Sequence, residues 1–122
     1  MDDTEFEARL EFSGDESTAA LLVLAGELDV SAAEVLTSTL EQVNTSAPGL
    51  ILDMAAVTFI DSSGLRTLIQ ARQMFRDEPA SVTIRDPQPT TTRLLELTGL
   101  SDYFVVSCAL IPRPGSMFTV SL

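Results

Sequence analysis

The sequence predicts an α/β fold: a mostly parallel β-sheet with an antiparallel N-terminal strand and helices packed on the sheet. Three observations carry that expectation. Apolar and charged residues alternate over residues 5–12, the two-residue period of a strand with one wet face. A wholly apolar run follows at 19–25, as in a strand buried on both sides, and 50–54 is apolar but for Asp53. Other segments carry apolar residues three and four positions apart, the stripe of a helix lying on a core. Strand and helix patterns that take turns, with short connections, imply parallel strands joined by right-handed helical crossovers.

Each element has its own signal. Phe6, Ala8, Leu10 and Phe12 interleave with Glu5, Glu7, Arg9 and Glu11, predicting a strand over 5–12. Ser13-Gly14-Asp15-Glu16-Ser17 reads as a turn, so the next strand, near 18–25, forms a hairpin with the first. Ser31 and Glu34 have the spacing of a capping box, with Ser31 as the N-cap. Ala32, Leu36, Leu40 and Val43 then predict a helix near 32–45. Pro48-Gly49 breaks the chain before a buried strand at 50–54. A short loop follows, with Val57, Phe59 and Ile60 pointing inward, and a helix near 63–76 buries Leu65, Leu68, Ile69 and Phe75. A strand at 81–85 leads into a loop held open by Pro87 and Pro89. A short helix near 91–98 is stopped by Gly99, and residues 103–107 form the last strand. No internal repeat or long linker interrupts the pattern. The expectation is a single domain over 1–122, with its core at about 5–107 and a C-terminal segment, 108–122, that after Ile111 reads as irregular or as a late edge strand.

Composition removes several functions. There is no histidine, which excludes Ser-His-Asp and Cys-His catalysis and every histidine-containing metal site. The lone cysteine, Cys108, can form no intramolecular disulfide and no cysteine metal cluster, and it reads as a small buried residue in a reducing compartment. Eighteen acidic residues against seven basic ones give a net charge of −11, a surface that phosphate backbones and anionic lipid repel. No nucleic acid and no membrane are therefore expected as partners. The N-terminus is acidic, unlike the start of a signal peptide, and no apolar run nears the ~18 residues of a membrane span. A cytoplasmic protein is expected.

The informative stretch is 50–69, LILDMAAVTFIDSSGLRTLI. A buried strand leads to Asp61-Ser62-Ser63-Gly64, which opens a helix. Hydroxyls there lie beside the unpaired N–H groups of the first turn. One reading makes Ser62 or Ser63 a helix cap and Asp61 an acidic first-turn residue. The other makes the serine a phosphate acceptor, whose phosphoryl group would meet those donors and the positive end of the helix dipole.

Residues 50–65 resemble the signature of the STAS domain (sulfate transporter and anti-sigma antagonist), an apolar strand leading into D-S-[ST]-G-L. Gly26-Glu27-Leu28-Asp29 is similar to the family's G-E-[LI]-D, and Arg93 to Leu100 (RLLELTGL) to its late helix ending in T-G-L. The match covers about residues 5–107 and is nearest to the stand-alone bacterial anti-sigma factor antagonists.

That resemblance implies a binding module rather than an enzyme, with no catalytic residue, no cofactor and no metal. Its partner would be a kinase-type anti-sigma factor, whose capture frees a sigma factor. Phosphorylation of Ser62 would end the capture, and a PP2C-type phosphatase would reverse it. Asp29, Asp61, Ser62, Ser63, Gly64 and Arg66 are the candidate partner-binding residues, although Asp29 reads equally as a turn residue. Arg66 stands where many members carry a small residue, and Asp77-Glu78-Pro79-Ala80 replaces a Gly-rich turn. Arg66, one turn beyond Ser62, pairs with the phosphate in one reading and only faces solvent in the other. Asp53 with Asp61 suggests a magnesium site, but the pair lacks a third anchor. An alternative role is a regulatory STAS subunit of a transport system, or a scaffold sensing a nucleotide or lipid. An enzyme with Ser62 as nucleophile lacks a recognisable base.

Overall fold

A computed structural model describes residues 6–75 and 79–107. The elements run β1 (Glu7–Phe12), β2 (Ala20–Leu28), α1 (Val30–Leu40), β3 (Leu50–Ile60), α2 (Ser62–Met74), a 3-10 turn (Pro79–Ser81), β4 (Val82–Arg85), α3 (Pro89–Leu97) and β5 (Val105–Ser107). They form one five-stranded sheet in chain order, β1-β2-β3-β4-β5. β1 pairs antiparallel with β2, and every later pair is parallel. This is the α/β arrangement that the sequence predicts, with each helix bridging neighbouring strands.

The core lies where the helices meet the sheet. Leu22 and Leu24 of β2, Leu52 and Met54 of β3, and Val82 and Ile84 of β4 are fully buried. Leu36 of α1, Leu68 and Ala71 of α2 and Leu95 of α3 close over them in the same cluster. α1 rests on β1 and β2 and packs beside α2, while α3 rests on β3. Of the residues expected to face inward from α2, Leu65 and Leu68 are buried and Ile69 and Phe75 partly so. The methionines divide: Met54 is core, whereas Met74 is exposed.

β3 departs most from expectation. In place of a strand ending at Met54 and a loop, it continues to Ile60. Against β2 its register slips twice, between Asp53 and Ala56 and again between Val57 and Phe59. Each slip inserts one unpaired residue and advances the pleat by a step. The inward side chains therefore fall at Met54, Val57 and Ile60, three apart, and Phe59 is turned out at 45% exposure. The groups freed from the ladder find other partners. The Ala55 N–H donates to Asp53 Oδ1 at 3.1 Å, and the Gln88 side-chain amide donates to the Ala55 carbonyl at 2.6 Å.

Helix boundaries shift for identifiable reasons. The N-cap of α1 is Asp29 rather than Ser31, because β2 runs through Gly26-Glu27-Leu28 and leaves no intervening loop. α1 stops at Leu40, and Val43 is buried from a turn beyond it. Pro89 does not hold a loop open; it is the first residue of α3, where its missing N–H costs nothing. At the far end Gly99 has φ +75°, and the N–H groups of Gly99 and Leu100 donate back to Glu96 and Leu95. That double bond is a Schellman stop, with Leu95 and Leu100 in contact with the core. Residues 108–122, with Cys108 and the prolines at 112 and 114, and Asp77 and Glu78 lie outside the described residues.

Candidate functional site

β2 and β3 end together. Leu28 pairs with Ile60, and after each strand a single aspartate turns the chain into a helix: Asp29 into α1 and Asp61 into α2. Two helix N-termini thus stand side by side at one sheet edge, each closed by a carboxylate. Asp29 Oδ1 accepts from the Ala32 N–H and the Ser31 hydroxyl, both at 3.1 Å. Asp61 Oδ1 accepts from the N–H groups of Ser63 at 2.9 Å and Gly64 at 3.1 Å. The bond from the Ala32 N–H, opposed by desolvation and aided by the Ser31 hydroxyl, leaves the Asp29 carboxyl below its ordinary range. Both aspartates are therefore caps, and the cap reading of Ser62 and Ser63 gives way. An N-cap aspartate does not exclude contact with a partner, since its second oxygen stays free for one.

Gly64 sets how close α2 comes to the sheet. A Cβ there would collide with the Leu28 carbonyl oxygen and lie 2.7 Å from Leu28 Cγ and 3.1 Å from Ile60 Cγ1. The Asp61 N–H donates to that same carbonyl at 3.3 Å, which ties the start of α2 to the end of β2.

The two serines differ in setting. Ser62, in the first helical position, is exposed, and its hydroxyl makes no hydrogen bond among the described residues. Ser63 is half-buried, and its carbonyl accepts from the Thr67 hydroxyl at 3.2 Å. Val30, in the matching position of α1, is 68% exposed. Between α1 and α2 runs an open depression of about 440 Å³, lined by Val30, Glu34, Ser63, Arg66, Thr67 and Gln70 among others. The fold thus brings Asp29, Asp61, Ser62, Ser63 and Arg66 to one surface, whereas Gly64, expected among them, is buried against the ends of β2 and β3.

Asp53 lies elsewhere. Its Oδ2 meets Arg85 Nη2 at 2.7 Å on β4, and its Oδ1 serves the slipped register of β3. Among the described residues no three acidic side chains gather in a way that would hold a metal ion. No helix of the described residues is long and apolar enough to cross a membrane.

The parallel strands put the corners at Asp29 and Ser62 on the same sheet edge, as expected, but sequence reasoning passed over Val30, gave Glu34 only a capping role, and missed that both aspartates are the N-caps. A signal was present: Leu28-Asp29-Val30-Ser31 and Ile60-Asp61-Ser62-Ser63 share the pattern apolar-Asp-x-Ser. It places two matching strand-to-helix corners in register.

Residues 10–113 match the STAS domain family. The chain belongs to that family. Over 84 residues this STAS domain is 29% identical to the anti-sigma-B factor antagonist of Bacillus subtilis (strain 168), covering 69% of this chain and 77% of that protein. Its fold is similar to the crystal structure of an anti-sigma factor antagonist from Mycobacterium paratuberculosis, with a TM-score of 0.66, 23% identity and coverage of 87% of this chain and 88% of that one. It is also similar to the anti-sigma factor antagonist SpoIIAA in its unphosphorylated form, with a TM-score of 0.65, 20% identity and coverage of 82% and 87%. The phosphorylated form of the Bacillus SpoIIAA gives a TM-score of 0.57, 21% identity and coverage of 82% and 90%. At these identities the solved structures speak for the fold.

Proposed function

We propose that this STAS domain is an anti-sigma factor antagonist: a cytoplasmic binding module that captures a kinase-type anti-sigma factor, frees a sigma factor and is switched off at Ser62. The observation that carries the reading is an exposed, unbonded Ser62 hydroxyl between two capped helix ends and beside an open groove. A kinase needs a hydroxyl that reaches solvent and is not held by a neighbour, and Ser62 meets that need where half-buried Ser63 does not. In the transfer the Ser62 oxygen bonds to the γ-phosphorus of ATP, ADP leaves, and the hydroxyl proton passes to a base of the kinase. A PP2C-type phosphatase would return the serine by hydrolysis.

The capture surface comprises Asp29, Asp61, Ser62, Ser63 and Arg66, with Val30 supplying apolar area and buried Gly64 only setting the height of α2 on the sheet. Val30 is the most exposed large apolar side chain at this edge, and burial of such a residue suits the middle of an interface. Phosphate at Ser62 adds about −1.5 to −2 charges at that surface. An unmatched charge at an interface costs roughly 2–4 kcal/mol, or about 30- to 1,000-fold in affinity.

Calorimetric titration with a kinase-type anti-sigma factor, joined to phosphosite mapping, tests this. Ser62→Ala should bind and resist inactivation by ATP, Ser62→Asp should bind weakly, and Ser63→Ala should still accept phosphate at Ser62. Equal affinities for wild type, Ser62→Ala and Ser62→Asp, or phosphate found only on Ser63, would overturn the assignment.

A further inference from the structure

A helix opens with N–H groups that have no partner inside the helix, and an anion placed there normally takes them. In α2 they are already engaged. The Asp61 N–H donates to the Leu28 carbonyl, those of Ser63 and Gly64 to the Asp61 carboxylate, and that of Leu65 to the Asp61 carbonyl. The N–H of Ser62 is left. A phosphoryl group on Ser62 therefore cannot collect the first-turn donors that the bare motif suggests without displacing a carboxylate of its own sign. It needs another counter-charge.

Arg66 stands one turn on, on the same face of α2, and helix neighbours four apart have their Cβ atoms about 5–6 Å from each other. Helical side chains lean toward the N-terminus, which carries the Arg66 guanidinium back over Ser62 rather than away from it. Ser62 and Arg66 are both exposed, and Arg66 makes no ion pair or hydrogen bond among the described residues. Of the other described arginines, Arg9 is committed to Glu11, Arg85 to Asp53 and Arg72 to the carbonyl and ring of Tyr103, while Arg93, exposed on α3, is unpaired among the described residues but is not on α2. The charged groups around the Ser62 surface are otherwise acidic, with Asp61 on α2, Asp29 at the end of β2 and Glu34 across the groove on α1. An uncommitted arginine in that acidic setting has one natural partner.

We propose that Arg66 is the counter-charge of a phosphoryl group on Ser62, so that the modified state is held by a guanidinium on the helix flank rather than by the helix N-terminus. The inference rests on Ser62 as the phosphate acceptor and adds the residue that receives the phosphate. A planar guanidinium can bind two phosphate oxygens at once, which an ammonium cannot. The phosphate would lean toward the α1–α2 groove and present its charge there, on the surface assigned to capture.

The test is made independent of any kinase by installing phosphoserine at position 62 during translation, in the full chain, in wild type, Arg66→Gln and Arg66→Lys. Phosphorus NMR then reads the second ionisation of the phosphate, ordinarily near pH 6. A pair with Arg66 favours the dianion, so the wild-type midpoint should lie below that of Arg66→Gln by about 0.3–0.7 pH units, a two- to five-fold difference in proton affinity. Arg66→Lys should fall between the two. Identical midpoints for wild type and Arg66→Gln would overturn the pairing. Failure of kinase-type anti-sigma factors to phosphorylate Ser62 would instead strike the functional reading and leave the pairing to be judged by the installed phosphate.

Discussion

Replacing Gly64 with alanine sets two known effects against each other. Alanine in place of glycine inside a helix gains about 0.5–1 kcal/mol from the unfolded chain's lost freedom. Against this, the new methyl would overlap the Leu28 carbonyl oxygen and approach Leu28 Cγ at 2.7 Å and Ile60 Cγ1 at 3.1 Å. The first obstacle is backbone in a fully buried strand end, so α2 must retreat, and overpacking of this kind costs about 1–3 kcal/mol. The retreat also stretches the 3.3 Å bond from the Asp61 N–H to that carbonyl. A net loss of roughly 1–2 kcal/mol should lower Tm by about 4–10 °C for a domain of this size. Heat and urea unfolding measure it, and faster amide exchange at Asp61 should accompany it. Gly99→Ala is the control: nothing lies within 4 Å of a Cβ there, so only its φ of +75° resists, at about 1 kcal/mol. A Gly64→Ala protein as stable as wild type would refute the close approach of α2 to β2.

Two further outcomes follow from the carboxylates. Asp61→Ala should lose about 1–2 kcal/mol in urea unfolding by leaving the Ser63 and Gly64 N–H groups without their acceptor, and Asp61→Ser should recover most of it; equal loss in both would exclude capping as the cause. Burial raises the Asp53 carboxyl, but the Arg85 and Ala55 hydrogen bonds and the Arg85 charge outweigh it and leave it below its ordinary 3.8. Its folded pKa being depressed, its contribution is complete above about pH 4 and is lost as pH falls through the lowered value. Asp53→Asn should therefore melt below wild type at neutral pH, with the gap closing in acid; a gap constant from pH 7 to about 2.5 would count against the ion pair.

Much of this fold can be read from its residues, and the failures have a common origin. β2 announces itself by its apolar run, and β1 by its alternation as far as Leu10, beyond which a slip of register turns Phe12 out at 40% exposure. β3 does not, since two inserted residues change the inward spacing from two to three, and Phe59 then looks like core while facing solvent. The sequence points to Ser31 as the cap of α1 because serine and aspartate cap equally well, and only the length of β2 decides between them. At the site, the motif positions Asp61 and Ser62 directly. What local sequence cannot supply is the partner of the Asp61 N–H, the Leu28 carbonyl, which arrives from the neighbouring strand β2.

The two slips in β3 also obey a parity rule. From Leu24 to Leu28 the chain takes four steps, while from Met54 to Ile60 it takes six, and each surplus residue reverses the face on which the next side chain falls. Two reversals cancel. Deleting a single residue from either slip would throw Ile60 and the corner at Asp61 to the wrong face, much as one lost letter garbles a reading frame. Deleting one from each slip, for example Ala55 together with Thr58, would restore phase and leave Leu28 opposite Ile60 in an unbroken ladder. Length changes in this strand should thus be tolerated in pairs and rejected singly, so the corner that carries Ser62 is protected by counting as much as by packing.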